Sequence, residues 1–199
     1  MPNSQEFNDL GDQWLISYMY SISGMVLPTL FTIGHCLEAY CKSALLKHDP
    51  SLNIYGRKYG HDVEGMIGEI KQKVGILNNV EFLPNVEQRF MIGGPIPFND
   101  QLMSDPEYLH YVPNQELYWV AKYQKDLKYI GTSGEKMPKQ FGILVMMRNP
   151  YWIPLLGELR RYLRTGEQNE TPTMQAFVNR GQYPADVKEF IEPILGRLL

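Results

Sequence analysis

Apolar residues recur at helical spacing in several stretches of this chain. The clearest pattern begins at Trp152 and returns every third or fourth residue as far as Leu163. A second pattern covers positions 33–44, and a third covers positions 63–74. Because side chains three and four positions apart share one face of an α-helix, each pattern predicts an amphipathic helix. The sequence therefore predicts a mainly α fold.

Capping and helix-breaking residues set the predicted bounds of the first three helices. Helix one is predicted at about residues 6–23. Helix two is predicted to begin after Pro28 and to end near Lys47, and helix three to begin at the N-cap Asp62 and to end near Leu77. The expected apolar side of helix one consists of Leu10, Trp14, Ile16, Tyr18 and Ile22.

The rest of the chain predicts one domain with an insertion. Frequent proline and glycine interrupt residues 78–140, which also keep many aromatic residues, so we expect an irregular but ordered insertion there. Residues 141–147 are apolar and fit a strand or the start of a helix. The core is predicted at about 6–77 and 141–164, followed by a short helical appendage at 165–199.

Composition narrows the classes of protein. The chain has 199 residues, of which 44% are hydrophobic, and a net charge of −3. This composition is typical of a single globular domain, and an acidic chain is a poor ligand for duplex DNA. Cys36 and Cys41 lie five positions apart on different faces of a helix, which suits neither a disulfide nor a shared metal site. Unpaired thiols predict a cytoplasmic protein.

A long uncharged stretch at residues 13–34 raises the alternative of a membrane span. Its apolar character is diluted by serine, threonine, glycine and proline. The segment from Gly24 to Pro28 favours a break between two buried helices. We therefore expect no contact with a membrane.

Two polar motifs interrupt the apolar patterns. The first is Gly34-His35-Cys36-Leu37-Glu38-Ala39-Tyr40-Cys41-Lys42, in which three polar residues, His35, Glu38 and Lys42, share one helical face. The second is Tyr59-Gly60-His61-Asp62, directly before the third helix. The motifs predict one polar cluster between helices. Two interpretations stay open: a buried network that joins helices, or a catalytic site.

This pair of motifs resembles those of the HEPN superfamily of helical-bundle proteins, many of which are ribonucleases or nucleotide-binding modules. The resemblance covers about residues 6–77 and, more loosely, 141–164. It implies a HEPN-like bundle, a homodimer, and a setting in stress or defence such as a toxin–antitoxin pair.

Ribonuclease members of that superfamily carry an arginine followed four to six residues later by histidine, often with asparagine or aspartate after the arginine. Arg148-Asn149 resembles the first half of this motif. Pairing of two such bundles would bring both copies of Arg148-Asn149 toward one cleft, where Arg148 is expected to bind phosphate. The expected histidine positions hold Ile153, Pro154 and Leu155. None of these side chains transfers a proton, so a ribonuclease of this kind would need a relocated histidine, His61 or His35.

Arginines also cluster after position 148. Arg160, Arg161 and Arg164 form a basic group that predicts contact with phosphates of RNA or of a nucleotide, unless it is only the solvated face of a helix. No metal or cofactor is expected, because His35 and Glu38 lack matching carboxylates on partner helices.

The leading hypothesis from the sequence is a non-catalytic HEPN-like binding module. Its expected partner is RNA, a nucleotide or another protein. The alternatives are a metal-independent ribonuclease and a toxin-neutralising interaction domain with an exposed apolar surface around Phe190.

Overall fold

The computed structural model of the chain describes residues 3–21, 26–78, 152–165, 170–181 and five positions between 188 and 196. In this part of the chain the fold is mainly α, as the sequence predicts, and it includes no strand. The elements are α1 (Ser4–Ser21), α2 (Val26–His48), a 3₁₀ turn η1 (Arg57–Tyr59), α3 (Val63–Lys73), α4 (Trp152–Leu163) and α5 (Pro172–Arg180).

Helix α2 is the centre of the bundle. It packs against α1, α3 and α4, while α5 packs against α1. The first two helices are antiparallel, because Ser4 contacts Ser43 whereas Trp14, further along α1, contacts His35. The predicted stripe of α2 is confirmed as part of the core: Ile33, Cys36, Leu37, Tyr40 and Ala44 are all buried.

The buried face of α1 agrees only in part with the predicted one. As predicted, Tyr18 is buried and Trp14 and Ile16 pack against the core, whereas Leu10 is exposed. The other buried apolar residues of this helix are Phe7, Leu15 and Met19. Asn8 and Asp12 are buried beside them. Two polar residues inside the packed face blur the hydrophobic period, which is why the prediction for this helix was partly wrong.

The predicted ends of α2 and α3 need small corrections. Helix α2 begins at Val26, so Pro28 lies in its first turn, where the missing N–H costs no helical hydrogen bond. Helix α3 begins after the N-cap Asp62, as predicted, but ends at Lys73 rather than near Leu77. Gly75 has a φ of 77° and its N–H donates to the carbonyl of Ile70, which ends the helix in a left-handed turn.

Two long-range contacts attach α4 to the first half of the chain. The Leu77 N–H donates to Glu158 Oε1 at 2.8 Å. The Lys47 ammonium donates to the carbonyls of Tyr162, Leu163 and Thr165 at 2.7 to 2.9 Å, and so caps the C-terminal end of α4. The predicted apolar stripe of α4 is confirmed by its buried residues Leu155, Leu156, Leu159 and Leu163.

Helix α5 lies within the predicted helical appendage at 165–199. Thr171 is its N-cap and accepts a hydrogen bond from the Met174 N–H at 3.2 Å. Pro172 is its first residue and Gly181, with a φ of 57°, follows its last. A Thr-Pro pair at the start and a glycine after the end are the standard capping signals of a helix, so the bounds of α5 could have been predicted from the sequence.

Several predictions fall outside the described residues. These concern the insertion at 78–140, except its first residue, the apolar run at 141–147, and Phe190. Among the helices that the structure describes, none is both long and apolar enough to cross a membrane.

Candidate functional site

Four of the predicted polar residues meet at one edge of the bundle. The Lys42 ammonium lies 2.5 Å from Glu38 Oε1. His61 Nδ1 lies 2.9 Å from the other oxygen of this carboxylate, Oε2. His35 Nδ1 lies 3.7 Å from the same Oε2. We call His35, Glu38, Lys42 and His61 the histidine–carboxylate cluster.

Two local features of the chain build this cluster. Positions 35, 38 and 42 are spaced three and four apart on α2, so their side chains lie on one face of that helix. His61 reaches the same face from the segment between η1 and α3. Asp62, which we expected in the cluster, has a different role: its carboxylate accepts a hydrogen bond from the Gly65 N–H at 2.9 Å as the N-cap of α3.

The cluster is mostly buried and is open on the side of His61. The Glu38 side chain is 9% exposed, whereas that of His61 is 36% exposed. Burial acts to raise the pKa of the Glu38 carboxyl, but the hydrogen bonds from Lys42 and His61 outweigh it and lower that pKa. Glu38 is therefore a carboxylate at neutral pH, and it holds the Lys42 ammonium and the His61 imidazole in place.

Aromatic rings complete the surroundings of the cluster. The Trp14 indole stacks on the His35 imidazole with 4.9 Å between ring centroids and 24° between planes. The rings of His35 and His61 are nearly perpendicular, with centroids 6.4 Å apart. Trp14 was predicted only as an apolar residue of α1, because no sequence signal pairs position 14 with position 35.

Arg160 does not form the phosphate-binding surface that we predicted. Its side chain is 2% exposed and pairs with the carboxylates of Asp12 and Glu170. The Arg160 guanidinium also donates to the Tyr40 hydroxyl at 2.7 Å, and the Thr171 hydroxyl donates to Asp12 at 2.5 Å. We call these five residues the buried arginine network. It joins α1, α2, α4 and the start of α5.

The position of Arg160 within α4 explains this burial. It lies four residues after Leu156 and three before Leu163, so it belongs to the apolar face of the helix. Burial lowers the pKa of the Arg160 guanidinium to about 10, which leaves it charged at neutral pH. Within the described part of the chain, no acceptor contacts its Nε atom.

The other predicted arginines do not extend a single basic surface. Arg164 is 24% exposed and pairs with Glu170 at 2.8 Å, and Arg161 is exposed. Arg148 and Asn149 lie outside the described residues. The structure therefore brings the predicted histidines together, but it separates the three arginines of α4 into one buried, one paired and one exposed side chain.

The described residues offer no group of three or more His, Cys, Asp or Glu side chains arranged to hold a metal ion. Cys36 and Cys41 are buried free thiols. Burial raises the pKa of both thiols. Since the thiolate is the reactive form of cysteine, neither residue is an activated nucleophile.

Comparisons of the chain with protein-family models, with curated proteins and with solved structures find no match. The chemistry of the histidine–carboxylate cluster is therefore the best guide to function. One edge of it combines an ammonium, two imidazoles and a stacked indole, and these groups suit an anionic ligand that also has an aromatic part.

Proposed function

We propose that this chain is a HEPN-like binding module that holds a nucleotide unit, in RNA or as a free nucleotide, at the histidine–carboxylate cluster without cleaving it. The observation that carries the proposal is the gathering of Lys42, His35 and His61 around the Glu38 carboxylate, with His61 36% exposed.

The hydrogen-bond donors of the cluster favour an anion. The Lys42 ammonium offsets the charge of the Glu38 carboxylate and has three N–H donors. Each imidazole adds at least one ring N–H donor. Phosphate oxygens accept such hydrogen bonds, so the cluster suits a phosphate group.

The aromatic groups of the cluster suit the other half of a nucleotide. Bases stack on aromatic side chains, and such stacking contributes about 1–3 kcal/mol per base. Trp14 and His35 already form a stacked pair beside the phosphate-attracting groups. A ligand bound at the His61 edge therefore has both an electrostatic and a stacking partner within reach.

The burial of the cluster favours binding over cleavage. Acid–base cleavage of a phosphodiester needs groups that deliver and accept protons at the reacting atoms. The side chains of His35, Glu38 and Lys42 are only 15%, 9% and 12% exposed. With His61 as its one well-exposed member, the cluster presents a single proton-transfer group to a ligand.

The test is a titration of the pure protein with a fluorescent single-stranded RNA and, separately, with AMP. His61→Ala is expected to weaken binding about five- to tenfold, since a hydrogen bond to a charged group contributes about 1.5 kcal/mol or somewhat less at a half-exposed site.

His48→Ala is the matched control. His48 is an exposed histidine at the end of α2, ten positions from Glu38, so the substitution removes the same imidazole outside the cluster. If His48→Ala and His61→Ala have equal effects on binding, the cluster is not the ligand site.

A second candidate is a metal-independent ribonuclease with His61 as the relocated histidine. The hydrogen bond between Glu38 Oε2 and His61 Nδ1 favours it, because a carboxylate on one ring nitrogen orients an imidazole for proton transfer at the other. Incubation with a mixed RNA pool separates the two functions. Cleavage that persists with chelator and disappears in His61→Ala would replace the binding proposal with this one.

A further inference from the structure

A second carboxylate of the bundle is held by two lysines. Glu69 of α3 contacts Lys58 Nζ at 2.7 Å and Lys73 Nζ at 2.5 Å, and the Tyr59 hydroxyl donates to it at 3.0 Å. The Glu69 side chain is 8% exposed, whereas those of Lys58 and Lys73 are 67% and 40% exposed. We call Lys58, Glu69 and Lys73 the lysine pair with its carboxylate.

This group carries a surplus of positive charge. Burial acts to raise the pKa of Glu69, but the hydrogen bonds from Lys58, Lys73 and Tyr59 outweigh it and lower the pKa to about 2. One carboxylate therefore faces two ammonium groups, and one positive charge is left over. Each ammonium has three N–H donors, so both lysines keep donors for a ligand while Glu69 fixes their position.

The lysine pair lies close to the histidine–carboxylate cluster. Lys58 belongs to η1, and His61 follows three residues later. Three residues span at most about 11 Å, so the backbones at Lys58 and His61 lie no further apart than that, and a short oligonucleotide is long enough to reach both. The turn is fixed in place, because the buried Tyr59 ring anchors it beside α3.

The acidic residues near this path are partly engaged. Asp62 uses its carboxylate to cap α3 through the Gly65 N–H. Glu64, in the first turn of α3, is exposed. Asp49, whose carboxylate accepts a hydrogen bond from the Ser51 N–H, also interacts electrostatically with Lys73.

We propose that Lys58 and Lys73 form a second phosphate contact, so that the ligand is a single strand of RNA that runs from His61 across η1 rather than a mononucleotide. This inference rests on the proposed function, since it extends the same site. It narrows the class of ligand from any nucleotide to an oligonucleotide.

The experiment measures the salt dependence of binding for a ten-nucleotide single-stranded RNA and for AMP. The logarithm of the binding constant falls linearly with the logarithm of the salt concentration. For a single strand, removing one phosphate contact reduces the magnitude of this slope by about 0.7. Lys58→Ala combined with Lys73→Ala removes this one contact and is therefore expected to reduce the slope for the RNA by about 0.7, with no change in the affinity for AMP.

Control variants separate the loss of charge from a loss of folding. Lys188→Ala removes one charge from a different, exposed position and is expected to leave the slope unchanged. Lys58→Arg with Lys73→Arg keeps both charges and is expected to keep the slope.

Glu69→Gln removes the carboxylate and is expected to strengthen RNA binding about two- to fivefold, whereas a merely structural role of the group predicts weaker binding.

The outcomes distinguish this inference from the proposed function. If AMP and RNA both bind at His61 but the double alanine variant keeps the full slope, the second contact is wrong and the proposed function stands. If AMP affinity falls as much as RNA affinity in that variant, the inference is wrong as well. If neither ligand binds the unaltered protein, both proposals fail.

Discussion

Gly11 of α1 lies against the Tyr40 ring of α2. A Cβ atom at position 11 would lie 2.6 Å from two carbon atoms of that ring, well inside contact distance. Tyr40 cannot easily move away, because its hydroxyl belongs to the buried arginine network. Gly11 is therefore needed for the packing of α1 against α2, because hydrogen bonds of the Tyr40 hydroxyl fix the position of the Tyr40 ring.

Gly11→Ala is expected to destabilise the protein by about 1–3 kcal/mol, the usual cost of an overpacked core. Gly68→Ala is the matched control, because Gly68 is exposed within α3 and has no atom within 4 Å of its added Cβ. That control is expected to stabilise by up to about 1 kcal/mol through helix propensity. Thermal unfolding of both variants measures the contrast, and a neutral Gly11→Ala would contradict this packing.

Glu69 makes stability depend on acid pH. Its pKa is lowered from the ordinary value of 4.5 to about 2 in the folded protein, so the unfolded chain binds more protons between these values. The stabilisation is thus complete above about pH 4.5 and is lost as the pH falls toward 2. Because both lysines are substantially exposed, its contribution at neutral pH is about 1–2 kcal/mol.

Glu69→Gln is therefore expected to lower the free energy of unfolding by that amount at pH 7. The difference from the unaltered protein is expected to shrink as the pH falls through 4 and to vanish near pH 2. Urea unfolding at a series of pH values measures this. A difference that stays constant with pH would show that Glu69 acts through packing rather than charge.

The residues of the candidate site differ in how far the sequence could predict them. His35, Glu38 and Lys42 share a helical face by their spacing alone, so their proximity follows from local structure. The contact of His61 with them depends on the path of the chain between α2 and α3, and only the second polar motif suggested it. The burial of Arg160 could have been inferred from its place between apolar residues of α4.

At the scale of helices, the presence of a helix was predicted better than its first and last residues or its buried face. Strong apolar periods identified α2, α3 and α4, since tertiary packing follows those stripes. Helix α1 was harder because its buried face holds Asp12, whose partner Arg160 is 148 positions away in the sequence. Helix α5 lies in the predicted appendage, but its bounds were not predicted because its apolar period is short, although its capping residues were present.

Asp12→Ala tests how the buried arginine network holds these helices together. The substitution leaves the Arg160 guanidinium buried with Glu170 as its remaining carboxylate, so a loss of about 3 kcal/mol is expected. Asp9→Ala on the same helix is the control. Asp9 is half-buried and accepts hydrogen bonds from Gln13 and the Thr173 N–H, for which about 1 kcal/mol is expected.

Chemical denaturation of the two variants gives the comparison. Equal losses for Asp12→Ala and Asp9→Ala would mean that the network adds no more than an ordinary hydrogen bond. A larger loss for Asp12→Ala, together with hydrogen exchange that increases in α5, is the expected result.

At the scale of the whole molecule, the net charge of −3 limits the ligand site to a local patch. In the proposed site, the histidine–carboxylate cluster and the two lysines Lys58 and Lys73 supply such a patch. Binding is then expected to be weak at high salt and to need correct placement of both groups, rather than a broad basic surface.

The prediction that the protein is a homodimer, with Arg148-Asn149 of both copies facing one cleft, remains to be tested. Light scattering is expected to give twice the mass of the chain. Arg148→Ala is expected to weaken RNA binding and to leave the melting temperature unchanged. A lower melting temperature with unaltered binding would mean that Arg148 is structural.

The hydrogen bond between Leu77 and Glu158 has a practical consequence for protein engineering. It brings the chain at position 77 beside α4, whose first residue is six positions, about 9 Å, before Glu158. A flexible linker of about eight residues spans up to about 27 Å, enough to connect residue 78 to residue 152 directly. The resulting miniature protein would keep the histidine–carboxylate cluster, Lys58 and Lys73, and it would lack Arg148. Its affinity for RNA would therefore measure the binding that these residues provide without Arg148.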